Sequence, residues 1–178
     1  MTISEKDYSV HTNTPVPAEL WSKVDKNLLY PPFRKKIEEL LQILETNKTR
    51  FYVICGVRTY IEQDALYAQG RTTDGKVVTR AKAGTSYHNF GIAVDLCKDA
   101  NIEKGGLQPD WDIFKYEALA RAAESIGLEA GLHFQKLADG PHVQFNISKN
   151  KVTLKRLDAL YRLGGMKDVF RLLDGYDW

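Results

Sequence analysis

Apolar and polar positions recur along the chain with two different periods, and each period predicts one kind of element. A spacing of three to four residues predicts helices over Phe33–Glu45, Tyr60–Gln69 and Trp111–Ile126. Runs of β-branched and aromatic residues, or strict alternation, predict strands in Phe51–Val57, Val77–Thr79 and Asp139–Ile147, and a strand or extended hairpin arm in Leu128–Gln135. Gly84–Leu96 is predicted to be a loop that runs into a short strand. Short strands interleaved with helices favour an α+β fold, with a small antiparallel sheet and helices packed around it.

The two ends of the chain differ in pattern from its middle. Residues 1–20 are polar, contain Pro15 and Pro17, and predict an extended N-terminal arm. Residues 21–150 hold every predicted strand and form the main domain. In residues 151–178, two apolar stripes at helical spacing are separated by Gly164-Gly165. They predict two short helices packed on the same domain, with a partner-binding role as the alternative.

Two segments place possible metal ligands where neighbouring strands would bring them together. Within Gly84–Leu96, alternate positions are apolar, and Asp95 lies on the opposite face among small residues. The same alternation within Asp139–Ile147 puts His142 on a polar face. If the strands are neighbours, both side chains converge with His88, in the loop before the first strand. Two imidazoles and a carboxylate suit a divalent metal, zinc above all, with a fourth position left for water.

These residues lie in motifs that resemble the VanY-type metallopeptidases, the group of D-alanyl-D-alanine carboxypeptidases and L-alanyl-D-glutamate endopeptidases. SYHNFGIAVD resembles the Ser-x-His-(six residues)-Asp motif of that group, and DGPHVQ resembles its second histidine motif. GVRTYIEQDALYAQGRT resembles the stretch before the metal motif in the L-alanyl-D-glutamate branch of phage endolysins and bacterial wall hydrolases. The resemblance runs from about Leu28 to Ile147. It implies a hedgehog/D,D-peptidase-like fold and a zinc peptidase catalytic domain over residues 21–150.

The resemblance also implies a role for individual residues. It gives the zinc ligands His88, Asp95 and His142, the catalytic residues Asp139 and Arg58, and the substrate-binding residues Gln63 and Ser86. Chemistry alone makes Arg58 a cationic fork for a substrate carboxylate or a developing oxyanion, or else a surface arginine paired with Glu62 or Asp64. Asp139 precedes a Gly-Pro turn and could accept a proton from zinc-activated water, or simply form that turn.

The implied function is hydrolysis of the L-alanyl–D-glutamate bond in the stem peptides of bacterial peptidoglycan. A D,D-carboxypeptidase that releases terminal D-alanine is the enzymatic alternative, and a non-catalytic zinc-containing wall-binding module is the other. The segment Ala130–Phe134 departs from relatives that carry a Trp followed by Gly-Gly-Asp-Trp, which leaves the exact substrate open. Its His133 is expected to line the cleft or to act as a ligand.

Composition narrows the remaining possibilities. A formal net charge of +2 is only mildly basic, which argues against a nucleic-acid binder. Two cysteines, Cys55 and Cys97, are too few for a disulfide scaffold and predict buried thiols. Without a long apolar run or a signal-peptide pattern, we expect a monomer made in the cytoplasm with no membrane span. The protein would act on the cell wall after its release from the cytoplasm. If it is a phage endolysin, a holin-type pore would release it; the alternative is an enzyme of bacterial wall turnover.

Overall fold

A five-stranded antiparallel sheet forms the centre of the fold. The structure is a computed structural model that describes residues 15–178. Its strands are β1 (Phe51–Cys55), β2 (Ala93–Asp99), β3 (Pro109–Asp110), β4 (Leu128–Ala130) and β5 (His142–Phe145). The hydrogen-bonded order is β1-β2-β5-β4, with β3 paired to β2, and every pairing is antiparallel. The predicted α+β class with a small antiparallel sheet is confirmed.

Four α-helices surround this sheet. They are α1 (Pro31–Thr46), α2 (Tyr60–Ala68), α3 (Glu117–Ser125) and α4 (Leu154–Leu173). Helix α1 begins with prolines at its first turn, where a missing N–H costs no hydrogen bond. Helix α2 begins with a capping box, in which Thr59 and Glu62 satisfy each other's backbone N–H groups. The predicted helices at Phe33–Glu45 and Tyr60–Gln69 are present within one to two residues of these bounds.

The apolar face of β2 is the middle of the core. Ile92, Val94 and Leu96 have no exposed surface, as their alternate spacing predicts. Helix α1 covers this side with buried side chains at Phe33, Ile37, Leu40, Leu41, Ile43 and Leu44. The opposite face of β2 carries Asp95 between the fully buried Ala93 and Cys97.

The C-terminal segment packs on the same core. Helix α4 breaks at Gly165, whose φ of 69° and ψ of −160° are not helical. Before the break, Tyr161 stacks on Tyr60 with ring centroids 4.7 Å apart. After it, Trp178 lies against Phe145 of β5, also with centroids 4.7 Å apart. The segment therefore contacts both α2 and the strand that carries His142.

Four local predictions differ from the structure. Residues 1–14 of the predicted arm lie outside the described residues, and Ala18–Trp21 form a 3-10 turn whose Leu20 is fully buried. Val77–Thr79 do not form a strand, because no neighbouring strand pairs with them there. The predicted strand at Leu128–Gln135 ends at Ala130 and gives way to a 3-10 turn. The predicted helix at Trp111–Ile126 starts as a 3-10 turn, and α3 begins at Glu117.

Two further expectations concern the cysteines and the membrane. Cys55 and Cys97 are both free, as predicted; Cys97 is buried as expected, whereas Cys55 is only partly buried. Within residues 15–178, none of the helices has the length and apolar character needed to cross a bilayer.

Candidate metal centre and active-site cleft

Three donor atoms from separate parts of the chain meet beside the polar face of β2. The register of β2 and β5 places Asp95 directly opposite His142. His88 lies in the 3-10 turn Tyr87–Phe90 that leads into β2. Asp95 Oδ1 is 3.1 Å from His142 Nδ1 and 3.3 Å from His88 Nε2, and the two nitrogens are 3.3 Å apart. The structure thus brings together the three ligands expected from the sequence.

The shape of this triangle fits a zinc ion. Zinc binds imidazole nitrogen and carboxylate oxygen at about 2.0–2.2 Å in a tetrahedral arrangement, so its ligand atoms lie about 3.3–3.5 Å from one another. The three observed separations, 3.1–3.3 Å, are close to that requirement. Three protein ligands also leave one tetrahedral position open, which is the arrangement of catalytic sites.

Hydrogen bonds fix which nitrogen of each histidine faces the centre. His88 Nδ1 is 2.8 Å from the carbonyl oxygen of Gly56 and must donate to it, which leaves Nε2 as the acceptor. His142 Nε2 lies 2.9 Å from Gln144 Oε1, and Gln144 Nε2 donates to Glu129 at 2.7 Å. Because Glu129 sets the orientation of the amide, His142 donates through Nε2 and keeps the lone pair on Nδ1. Such outer partners orient metal ligands.

Arg58 holds the second oxygen of Asp95. Its Nη2 donates to Asp95 Oδ2 at 2.9 Å, its Nη1 to Gln63 Oε1 at 3.1 Å and its Nε to Cys55 Sγ at 3.2 Å. The guanidinium therefore contacts Asp95 rather than Glu62 or Asp64. With its donors directed at the protein, Arg58 is placed to position Asp95, while a contact with substrate stays a prediction.

Two residues expected to bind substrate lie in different settings. Gln63 is fully buried, and its Nε2 donates to the carbonyl oxygen of Ala81 at 2.8 Å. Both ends of its amide are bonded within the protein, so Gln63 supports Arg58, while its expected contact with substrate stays a prediction. Ser86 is 7% exposed and lines the cleft, where a substrate could reach it.

Cys55 offers an alternative third ligand. Its sulfur, His88 and Asp95 have ligand atoms within 4.8 Å of one another. However, the sulfur approaches His88 from the Nδ1 side, at 3.9 Å, where the ring already donates to Gly56. Burial also raises the pKa of the Cys55 thiol, which opposes the thiolate that a metal needs. The set with His142 fits a metal better.

Asp139 sits beside the centre and is held by its backbone. Its N–H donates to the carbonyl oxygen of Gly131 at 2.8 Å, and its own carbonyl accepts from the N–H of His142 at 3.2 Å. A Cβ on Gly131 would lie 2.5 Å from Asp139 O and 2.9 Å from His142 Cβ, so the close approach needs glycine. Asp139 is exposed to solvent, and desolvation of its carboxyl within the cleft raises its pKa, as suits a group that exchanges protons.

The charges at the centre depend on one another. Burial alone would raise the pKa of Asp95, but the facing His88 and His142 hold it well below its usual value. Burial would lower the pKa of His142, yet its hydrogen bond and charge interaction with Asp95 raise it overall. Burial lowers the pKa of His88. Asp95 is therefore a carboxylate ready to bind a cation.

Asn89 is a supporting residue that sequence reasoning missed. Its side chain donates to the carbonyl oxygen of Arg58 at 2.9 Å and accepts from the N–H of Gly84 at 3.0 Å. The N–H of Arg58 in turn donates to the carbonyl oxygen of His88 at 3.1 Å. Asn89 thus ties the histidine turn to the end of β1. The available sequence signal for Asn89 was its position directly after His88. Gln144, which orients His142, was also missed, and its signal was the strand face that it shares with His142.

A cleft of about 450 Å³ opens over the metal centre. Its floor carries Ser86, His88, Asp95, Asp139 and His142, and Arg58 also lines it. His133 does not line this cleft, which corrects the sequence expectation. It lies on the surface, 2.7 Å from Glu124 and 3.2 Å from Glu117, and its two ring nitrogens are directed to these carboxylates.

A family comparison agrees with this geometry. Residues 26–140 match the family model VanY, described as D-alanyl-D-alanine carboxypeptidase. The chain belongs to the VanY family of peptidases. As a VanY-type enzyme it is a metallopeptidase that hydrolyses peptidoglycan, in a family whose cofactor is zinc.

Two proteins of known name share part of their sequence with this chain. The VanY-type chain is 36% identical over 124 residues to the peptidoglycan L-alanyl-D-glutamate endopeptidase CwlK of Bacillus subtilis, covering 64% of this chain and 71% of CwlK. It is also 25% identical over 139 residues to a chain named alanine–tRNA ligase from Neisseria meningitidis, but covers 15% of that chain. So short a share says nothing about aminoacylation.

Solved structures share the fold of this VanY-type peptidase. The L-Ala D-Glu endopeptidase ChiX of Serratia marcescens aligns with a TM-score of 0.50 and 22% identity, over 71% of this chain and 87% of ChiX. The vancomycin-resistance D,D-pentapeptidase VanY, solved in complex with Zn(II), aligns with a TM-score of 0.51 and 15% identity, over 92% and 99%. At these identities the likeness concerns the fold.

Proposed function

We propose that this VanY-type peptidase is a zinc-dependent endopeptidase that cleaves the L-alanyl–D-glutamate bond of peptidoglycan stem peptides. The observation that carries the chemistry is the triangle of His88 Nε2, Asp95 Oδ1 and His142 Nδ1, with sides of 3.1–3.3 Å beside Asp139. The choice of bond rests on the 36% identity to CwlK over 71% of that enzyme. The fold forms the site but does not select the bond.

Each residue has a distinct part in the proposed reaction. His88, Asp95 and His142 would hold the zinc, which would act as a Lewis acid on a water molecule and on the peptide carbonyl. The Asp139 carboxylate accepts a proton from the attacking water and later delivers it to the leaving amine. Arg58 keeps Asp95 in place through its 2.9 Å hydrogen bond to Oδ2. Ser86 contacts substrate from the cleft wall.

Product analysis tests the choice of bond. Purified protein loaded with zinc would be incubated with sacculi and with defined stem peptides, and the products identified by mass spectrometry. We expect fragments that begin with D-glutamate and an alanine left on the glycan side. Chelated protein and a zinc-loaded Asp139→Asn variant serve as controls without activity.

Two other outcomes would reject the proposal. Release of free D-alanine would assign the D,D-carboxypeptidase activity that the family description carries. Zinc binding with no cleavage of any stem peptide would favour the non-catalytic wall-binding module. Whether the protein serves phage lysis or wall turnover, and whether a holin-type pore releases it, is a separate question. Lysis timing in cells with and without such a pore would answer it.

A further inference from the structure

The cleft has an apolar rim above its polar floor. Three large apolar side chains that line it are more than half exposed: Trp111 at 59%, Leu137 at 58% and Val78 at 55%. Val78 belongs to the segment between α2 and β2, whereas Trp111 and Leu137 belong to the segments between β3 and β5. The rim thus combines parts of the chain far apart in sequence. Large apolar groups gathered in this way at a cleft indicate a binding surface.

The backbone on both sides of Trp111 is fixed. Asp110 Oδ1 accepts from the N–H of Asp112 at 3.1 Å, and the carbonyl oxygen of Asp110 accepts from the Tyr116 hydroxyl at 2.9 Å. Asp112 caps the following 3-10 turn by accepting from the N–H of Phe114 at 3.2 Å. A rigid turn therefore presents an exposed indole. A preorganised aromatic loses little conformational entropy when a ligand covers it.

The peptide at the proposed scissile bond does not match the exposed indole of Trp111, which is called the sugar platform below. Alanine and glutamate carry no group large and flat enough to cover an indole. In peptidoglycan, however, the amino group of that alanine is joined to the lactyl group of a muramic acid sugar. The sugar is therefore one residue away from the bond to be cut. One face of a pyranose ring consists of C–H groups that pack on an aromatic surface, while its hydroxyl and acetamido groups stay hydrated.

We propose that Trp111 is a specificity-determining residue that packs against the muramic acid sugar, so that the enzyme acts on stem peptides still joined to glycan. This inference rests on the proposed L-alanyl–D-glutamate activity, because that bond sets the distance to the sugar. The polar floor then binds the peptide and the apolar rim binds the sugar.

A pair of substrates tests the proposal. One is a muramyl peptide with the L-alanyl–D-glutamate bond, and the other is the same peptide with an N-acetyl group in place of the sugar. For the natural protein we expect kcat/KM to be at least roughly tenfold higher on the muramyl peptide, which is about 1.4 kcal/mol. Trp111→Ala should bring this ratio close to one.

Phe114 provides the matched control. It is an aromatic residue that is 89% exposed, lies three positions along and does not line the cleft. Phe114→Ala should leave both the ratio and the rates as in the natural protein. A ratio near one in the natural protein would overturn the proposal. So would a Trp111→Ala variant that loses the same factor on both substrates, because that result would assign a structural role.

A binding measurement separates this proposal from the choice of bond. Trp111 is the most exposed tryptophan, since Trp21 is 3% exposed and Trp178 is partly buried. Muramyl dipeptide added to zinc-loaded Asp139→Asn protein should shift tryptophan emission to shorter wavelength and protect it from acrylamide. The combined Asp139→Asn, Trp111→Phe protein should lose that signal.

The outcomes of the two measurements are distinct. Sugar-dependent binding without cleavage of the L-alanyl–D-glutamate bond by the natural protein would reject the proposed function while keeping the sugar platform. Unchanged emission at saturating muramyl dipeptide would overturn the platform, even if the peptide bond is cleaved as proposed.

Discussion

At the scale of single residues, the centre depends on side chains that hold other side chains. The proposed zinc ligands His88 and His142 are each oriented by a hydrogen bond from the ring nitrogen that does not face the centre. Asp95 is oriented by Arg58. Each ligand thus arrives with one donor atom directed inward, which lowers the conformational cost of binding a metal.

Asp139→Asn separates catalysis from metal binding. The amide keeps the size of the side chain but cannot accept a proton, and Asp139 is not among the three atoms of the metal triangle. We expect kcat to fall by roughly 10²–10⁴-fold, the usual contribution of a general acid or base. Zinc content after dialysis should stay at one ion per chain. Activity close to that of the natural protein with zinc bound would contradict the assigned role.

Arg58→Lys tests whether Arg58 positions Asp95 or contacts substrate. Lysine keeps the charge but loses the planar fork that bonds Asp95, Gln63 and Cys55 together. We expect zinc affinity, measured by competition with a chelator, to fall by roughly 10–100-fold. If zinc affinity is unchanged and only kcat falls, Arg58 acts on the substrate or the oxyanion instead.

At the scale of elements, the C-terminal segment is part of the structure that supports the centre. Asp158 of α4 accepts from the Tyr60 hydroxyl at 2.7 Å, and a Cβ on Gly84, before the histidine turn, would collide with Asp158. Trp178 packs on Phe145, three residues after His142. The C-terminal segment therefore contacts the turn that carries His88 and the strand that carries His142.

Leu157 and Leu163 give a matched pair on the same helix. Leu157 has no exposed surface, whereas Leu163 is 82% exposed. Leu157→Ala should lower the free energy of unfolding by about 2–5 kcal/mol, since it leaves a cavity in the core. Leu163→Ala should change it by about 0.5 kcal/mol or less. Equally small effects in denaturant titrations would show that the segment folds apart from the catalytic domain.

The sequence predicted the strands in which alternate side chains face the core. Alternation in β2 and β5 placed Asp95 and His142 on one face because one side of the sheet is buried. The strand predicted at Val77–Thr79 is absent, because β-branched residues form a strand only where a partner strand pairs with them. Cys55 and Gln63 were not identified as supports of Arg58, because their contacts depend on the pairing of β1 with β2 and on the direction of α2.

At the scale of the whole molecule, surface charge pairs contribute a pH-dependent part of the stability. His133 bonds to Glu124 and Glu117 across the surface, and these hydrogen bonds raise its pKa above the usual 6.5. A raised pKa in the folded state means that protonation favours folding. The stabilisation is therefore complete below the unfolded pKa and is lost as pH rises through the folded pKa.

A comparison of melting temperatures at two pH values checks this sign. His133→Gln should lower Tm relative to the natural protein at pH 5.5 and have little effect at pH 8.5. The difference should correspond to less than about 1 kcal/mol, since the pair is exposed to solvent. Glu124→Gln should show the same trend. A larger effect of His133→Gln at pH 8.5 would contradict the assignment.

X-ray absorption at the zinc edge reports directly whether His88, Asp95 and His142 surround one zinc ion. The measurement would use zinc-loaded protein in solution at one ion per chain. We expect a first shell of nitrogen and oxygen at about 2.0–2.2 Å with two imidazoles. A sulfur neighbour at about 2.3 Å would contradict it, since that distance would assign Cys55 as a ligand.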